Sequence, residues 1–355
     1  MELEVGVSRW GVDITLKLTT GNNKLKSFHY LCGTMQIYKF ENILKPVLWG
    51  GHQLEAFKHL PPCDEPIGES WELSAVPGRE SVVAAGDDKG KTLSQLVQHY
   101  GAALVGEEVY RRYGDKFPLL IKFIDAKRDL SIQVHPDDAL AQRRHGCLGK
   151  TEMWYIIQTD EDAKILTGFE RPITPEEYER RVADNTIVDV IHATASKPGD
   201  VFFIPAGQIH AICAGNLLAE IQQSSDITYR VYDYDRRDAN GNPRELHTEQ
   251  AREAINYRVI DSLVDYAAAP APGVTPLVNC PEFDVCRVDF NDGYSLQLPP
   301  RHSFVVLMCL AGETVLSAEN MEPVALRQGE TALVPAVVNR VDMTGHAQLL
   351  SAMVP

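Results

Sequence analysis

What most constrains the fold of this chain is a succession of short apolar runs, each closed by Gly, Pro or Asp: "PLLIKFIDA", "LSIQVHP", "EMWYIIQT", "GDVFFIPAG", "NLLAEIQQ" and "DITYRVYDY". Runs this short, rich in branched and aromatic residues, form strands. They follow one another without a helix between each pair, so a βαβ alternation is excluded and a closed or double-sheet β architecture is expected. Helical periodicity is confined to residues 92–113, to "TPEEYERRVAD" opening at the cap Thr174 with Pro175 next, and to residues 248–255. The chain is therefore expected to be mainly β, with a few peripheral helices.

Single cores stop growing near roughly 250–300 residues, so a chain of 355 residues is expected to divide. The Ala- and Pro-rich stretch "AAAPAPGVTP", residues 267–276, reads as an extended linker between units at 35–266 and 277–355. Residues 1–34 lack a clear period, and a well-patterned strand begins only after Met35, so they read as a dispensable N-terminal extension. That segment starts acidic and has no continuous apolar core, unlike a secretory signal. The seven cysteines are scattered and never form a CxxC pair, which indicates neither a disulfide framework nor a zinc knuckle. A reducing cytoplasm is the expected compartment.

No stretch of about 18 apolar residues suggests a membrane span. A formal charge of −15 argues against nucleic acid as a partner. An anionic small substrate would need a local basic cluster to overcome that field. Monomer and homodimer both remain open.

A weak internal repeat crosses the linker. "GDVFFIPAG" from Gly199 and "GETALVPAV" from Gly329 share a Gly, an acidic residue, a four-residue apolar strand and Pro-Ala. His210 in the first copy corresponds to Arg340 in the second, so only the first keeps a metal-ligating residue there.

In "DLSIQVHPDD", strand alternation puts Ser131, Gln133 and His135 on one face and Leu130, Ile132 and Val134 on the other. A solvated strand face would look similar, but Gln and His two residues apart are both potential metal ligands. Lys122 stands on a strand face with Leu120 and Ile124, which suggests a recessed charge with a partner. Arg230 is expected to share a face with Thr228 and Tyr232, and Lys150 lies two residues before Glu152. The remaining histidines, His247 among them, read as hydrogen-bonded core or surface residues.

The spacing GxxxxxPxGxxH from Gly199 to His210, with a histidine on an earlier strand, resembles the cupin pattern of small jelly-roll barrels. The longer segments "ILKPVLWGG", "IGESWELSAVPG", "LSIQVHPDD", "KTEMWYII" and "AEIQQSSDITYRVYDYDR" resemble the zinc-dependent type I mannose-6-phosphate isomerases (phosphomannose isomerases). The resemblance runs from about Met35 to the C-terminus and weakens after Ala267. It implies cupin-type jelly-roll barrels and a C-terminal cupin-like unit without metal ligands. It also implies interconversion of mannose 6-phosphate and fructose 6-phosphate through a cis-enediol. One Zn²⁺ per chain would be held by Gln133, His135, Glu152 and His210, a donor set that suits this borderline ion.

By the same resemblance Arg230 is the active-site arginine, and Ser131 and Lys122 contact the substrate phosphate. The catalytic base stays open among Lys150, a second carboxylate and a metal-bound water. Glu152 and His210 lie close together in the chain, as in the short bacterial form, without the helical insertion of longer relatives. Two other readings compete: an iron cupin oxygenase using two histidines and a carboxylate, and a sugar-binding or regulatory cupin without turnover.

Overall fold

The computed structural model describes residues 2–8, 11–17, 27–32, 35–237 and 241–355, the first three segments by their backbone alone. Those three segments are strands, Glu2–Ser8, Gly11–Lys17 and Ser27–Cys32, paired antiparallel with one another. The expectation of a dispensable extension at residues 1–34 falls in part outside the described residues.

From Met35 onward the mainly β expectation holds. Two antiparallel sheets face each other. One orders the strands Ile191–Ala195, Lys164–Phe169, His210–Ile212, Ile132–Val134 and Tyr229–Tyr232. The other orders Val201–Ile204, Glu152–Thr159, Asn216–Gln223, Leu119–Ala126, Ile67–Leu73 and Ile43–Gly51. Trp49, Ile124, Trp154, Ile156, Ile165, Phe202 and Leu218 fill the space between them.

Asn216–Gln223 and Leu119–Ala126 are buried along their whole length. Their inward residues line the barrel, while their outward residues, such as Phe123 and Ile221, join a core shared with the C-terminal unit. Phe283, Phe304, Leu333 and Leu350 come from that unit. The back of the five-stranded sheet is covered instead by helix Pro175–Ala183 and helix Thr248–Ala254, through Tyr178, Val182 and Ala251.

The C-terminal unit is a seven-stranded antiparallel sheet system from Gly273–Asn279 to Arg340–Met353, so its first strand begins inside the 267–276 stretch. Its own core includes Val288, Phe290, Leu307, Leu326 and Val341. Ile37 joins that core, and Tyr38 exchanges two backbone hydrogen bonds with Leu333. The chain just after Met35 thus lies against the C-terminal sheet. The repeat keeps its path: Val201–Ile204 and Thr331–Val334 are matching strands, and His210 and Arg340 each open the strand that follows. Side-chain direction differs, since Arg340 is exposed and paired with Asp342 at 2.6 Å while Val341 enters the core.

The helical expectation over residues 92–113 resolves into three short helices, Leu93–Tyr100, Ala102–Val105 and Glu107–Tyr113. Thr92 and Gln95 form a capping box at the start. Gly101 and Gly106 interrupt the run with positive φ, and a Cβ on Gly106 would lie 2.2 Å from the His302 carbonyl oxygen. Helix Asp138–His145 was not expected, although Asp137 caps it through Leu140 N–H and Gly146 ends it in the left-handed region.

Candidate metal centre and active site

The site grows from one lateral row of the five-stranded sheet. Gln133 is the register partner of His210 on one side and of Arg230 on the other. Directly opposed residues share a face, so these three side chains point the same way from three strands. Period two adds Ser131 and His135. Ile132 and Val134 go to the opposite face, into the helix-covered core, as alternation requires. Leu130 does not follow them: it precedes the strand and packs with Trp154 and Phe202 inside the barrel. Tyr232 departs from the expected face as well. A register shift between Arg230 and Tyr232 breaks the alternation, and Tyr232 packs against the outer core.

The facing sheet supplies Glu152, the first residue of its strand and the partner of Gln222 and Ile204. His135, Glu152 and His210 are all buried, with ligand atoms within 4.8 Å of one another. His210 Nε2 lies 3.2 Å from Glu152 Oε1, and His135 Nε2 lies 3.6 Å from Glu152 Oε2. The Gln133 amide is 3.3 Å from His210 Nε2. Each imidazole Nδ1 donates at 2.8 Å to a backbone carbonyl, His135 to Ile227 and His210 to Gln208. With the proton held on Nδ1, both Nε2 lone pairs point at the shared centre, the orientation that outer hydrogen bonds impose on metal-binding histidines.

Electrostatics agree with that assignment. Burial, followed by the Lys150 charge, holds His135 well below its ordinary value. Burial brings His210 down to about 4. Both rings are neutral near pH 7. Burial pushes the Glu152 carboxyl up to about 7 against the pull of Lys150. Glu152 has zero exposure, and the charge that meets it is the Lys150 ammonium. A buried carboxylate facing two neutral imidazole lone pairs fits a bound divalent cation. The Lys150 ammonium already leans on the same atoms, 2.9 Å from Glu152 Oε2 and 3.0 Å from His135 Nε2.

Lys122 is recessed, as its apolar strand face suggested, and its partner is Glu220. The two are register neighbours, with Nζ 2.8 Å from Oε1 and the Trp71 ring 5.2 Å from the ammonium. Burial opposes the charge on Glu220, but Lys122, Lys150 and the Trp154 indole N–H hold its pKa at about 2. Ser131 is buried.

Sequence reasoning missed Glu220, yet a single acid inside the apolar "NLLAEIQQ" carries the same signal as the lysine opposite it. It also missed a basic cluster beside Arg230. Asp233 accepts hydrogen bonds from Arg236 and Arg244, whose charges act on the Arg230 guanidinium. Three arginines around one buried aspartate make a local positive region in a chain of net charge −15.

Comparison with known proteins accords with this geometry. The family described as phosphomannose isomerase type I, catalytic domain, matches residues 37–165. Mannose-6-phosphate isomerase ManA of Bacillus subtilis is 36% identical over 315 residues, spanning 88% of this chain and 96% of that protein. The chain belongs to the type I phosphomannose isomerase family.

Its match over 96% of ManA makes it a phosphomannose isomerase of the short bacterial form. The mannose-6-phosphate isomerase of Streptococcus mutans is 34% identical, covering 86% of this chain and 94% of that protein. The crystal structure of a Bacillus subtilis mannose 6-phosphate isomerase superposes with a TM-score of 0.80 at 35% identity, over 90% of this chain and 99% of that one. The cupin-type fold of the phosphomannose isomerases is therefore the fold of this chain. Among the described residues, no helix is long and apolar enough to cross a membrane.

Proposed function

We propose that this protein interconverts mannose 6-phosphate and fructose 6-phosphate, with one zinc ion held by Gln133, His135, Glu152 and His210. The observation that carries the reading is the buried His135–Glu152–His210 cluster, with ligand atoms within 4.8 Å of one another. A bound zinc would supply Lewis acidity toward the sugar oxygens.

The reaction balances without an oxidant. The C2–H bond of the open-chain aldose breaks, its electrons form the C1=C2 bond of a cis-enediol, and the carbonyl oxygen gains a proton. Return of a proton to C1, with loss of the C2 hydroxyl proton as C2=O forms, gives the ketose. Lys150, at the ligand cluster, is assigned to carry the proton between the two carbons as its neutral amine, since an ammonium has no lone pair to receive it. Arg230 stays cationic and is assigned to the enediolate oxygen, which the shared face with Gln133 supports. Burial of the cluster excludes water from the carbanion-like intermediate.

Ser131 and Lys122 are assigned to substrate binding. Because the Lys122 ammonium is committed to Glu220, it is proposed to act as part of that pair. The arginine cluster at Asp233 supports an anionic substrate despite the acidic chain.

The test is a coupled assay of purified protein with mannose 6-phosphate, before and after chelation and with zinc restored, alongside metal analysis. Turnover that vanishes with chelator and returns with zinc is expected. Iron with oxygen uptake and no isomerisation, or sugar binding without turnover, would overturn the reading.

A further inference from the structure

Strand Tyr229–Tyr232 is the last strand of the five-stranded sheet, so among the described residues one of its edges has no neighbouring strand to pair its backbone. At Arg230 a single residue closes that edge. His247 N–H donates to the Arg230 carbonyl at 2.7 Å, and Arg230 N–H donates to His247 Nδ1 at 3.0 Å. An imidazole nitrogen thus stands where a ladder would place a carbonyl oxygen. Two residues earlier, the Glu245 carbonyl accepts from Arg230 Nη1 at 2.9 Å. Backbone and guanidinium are both anchored by residues 245–247.

His247 occupies the cap position of helix Thr248–Ala254, yet its side chain makes no capping hydrogen bond. The ring is turned to Arg230 instead. Burial and the Arg230 charge lower its pKa, which favours the neutral ring that an acceptor Nδ1 requires. Arg230 and Glu245 act on it directly, and across the Tyr229 ring stand His145, bonded to the phenol at 2.8 Å, and Arg144.

We infer that His247 is a positioning residue: through its Nδ1 acceptor it fixes the edge of the strand and so holds the Arg230 side chain on the face it shares with Gln133. This rests on the isomerase reading above, in which Arg230 meets the enediolate. His247 touches no ligand of the cluster, so it acts only through the arginine.

The test compares His247→Asn with His247→Gln. The Asn amide oxygen falls near the Nδ1 position, whereas the Gln oxygen reaches toward Nε2 and leaves the Arg230 N–H unpaired. The Asn variant is expected to keep kcat within about threefold of wild type. The Gln variant is expected to lose about tenfold or more in kcat, with a smaller change in KM and only a modest fall in melting temperature. In an Arg230→Ala background the Gln change should cost nothing further, because its effect passes through the arginine.

Equal activity of the Asn and Gln variants, or a full additional loss in the Arg230→Ala background, would overturn the inference. Absence of turnover in the wild-type protein would instead refute the isomerase reading, so the two failures are distinct.

Discussion

Lys122 and Glu220 meet at 2.8 Å on neighbouring strands inside the catalytic barrel, both less than a tenth exposed and both beside a tryptophan. A buried pair of this kind adds little net stability, because desolvation offsets its attraction, but breaking it strands a charge. Lys122→Met is therefore expected to destabilise the fold by about 3–5 kcal/mol. Lys122→Met combined with Glu220→Gln should recover most of that loss. Urea midpoints check this, and a double variant no more stable than the single one would contradict it.

Loss of one ligating imidazole should cost more metal affinity than the roughly 10–100-fold that loss of an outer-shell partner costs. After dialysis, His135→Ala and His210→Ala are each expected to carry little zinc and almost no isomerase activity. Metal analysis decides. A variant retaining a full equivalent of zinc would show that the ion sits elsewhere.

Stability of the metal-free protein should depend on pH in a window set by the cluster. His135 and His210 are neutral when folded, with His210 at about 4, against roughly 6.5 when unfolded. Below about 6.5 the unfolded chain binds protons that the folded one refuses, so each ring removes stability as pH falls. Glu152 acts in the opposite sense. Its folded pKa near 7 exceeds the unfolded value of about 4.3, so it contributes stability that is lost as pH rises through that interval. Two histidines against one glutamate leave a net slope on the order of 1 kcal/mol per pH unit between roughly pH 5 and 6. Denaturant titrations at those two pH values, after chelation, should show lower stability at the more acidic one. Saturation with zinc should flatten the difference, since bound ligands stay deprotonated.

Removal of residues 1–34 is expected to leave isomerase activity near wild type. The described strands of that segment pair with one another, and none of the candidate site residues comes from it. A truncated protein with greatly reduced kcat/KM would show that the segment supports the catalytic barrel.

Much of this was legible in the chain because strands announce themselves locally. Glu152–Thr159 and Asn216–Gln223 follow the quoted apolar runs residue for residue. The convergence of His135, Glu152 and His210 was legible too, from period two and from motif. Helix Asp138–His145 was not, because its polar face hid the period, although the Asp137 cap and Gly146 stood in plain view. Tyr232 was misdirected by a register shift that alternation does not foresee. The Asp233 cluster and the His247 contact depend on how a loop closes. Arg230 and His247 are seventeen residues apart, and the link is a backbone N–H meeting a ring nitrogen. No periodic signal encodes such a contact.

The core shared by the two barrels has a consequence for how damage would present. Phe283, Phe304 and Leu350 back the same sheet whose other side carries Glu152 and Glu220. A chain severed near residue 266 would leave that sheet wet along its rear, so neither half is an independent module. Substitutions deep in the C-terminal strands, remote from any sugar, would then surface as reduced cellular abundance while each surviving molecule turned over at its ordinary rate.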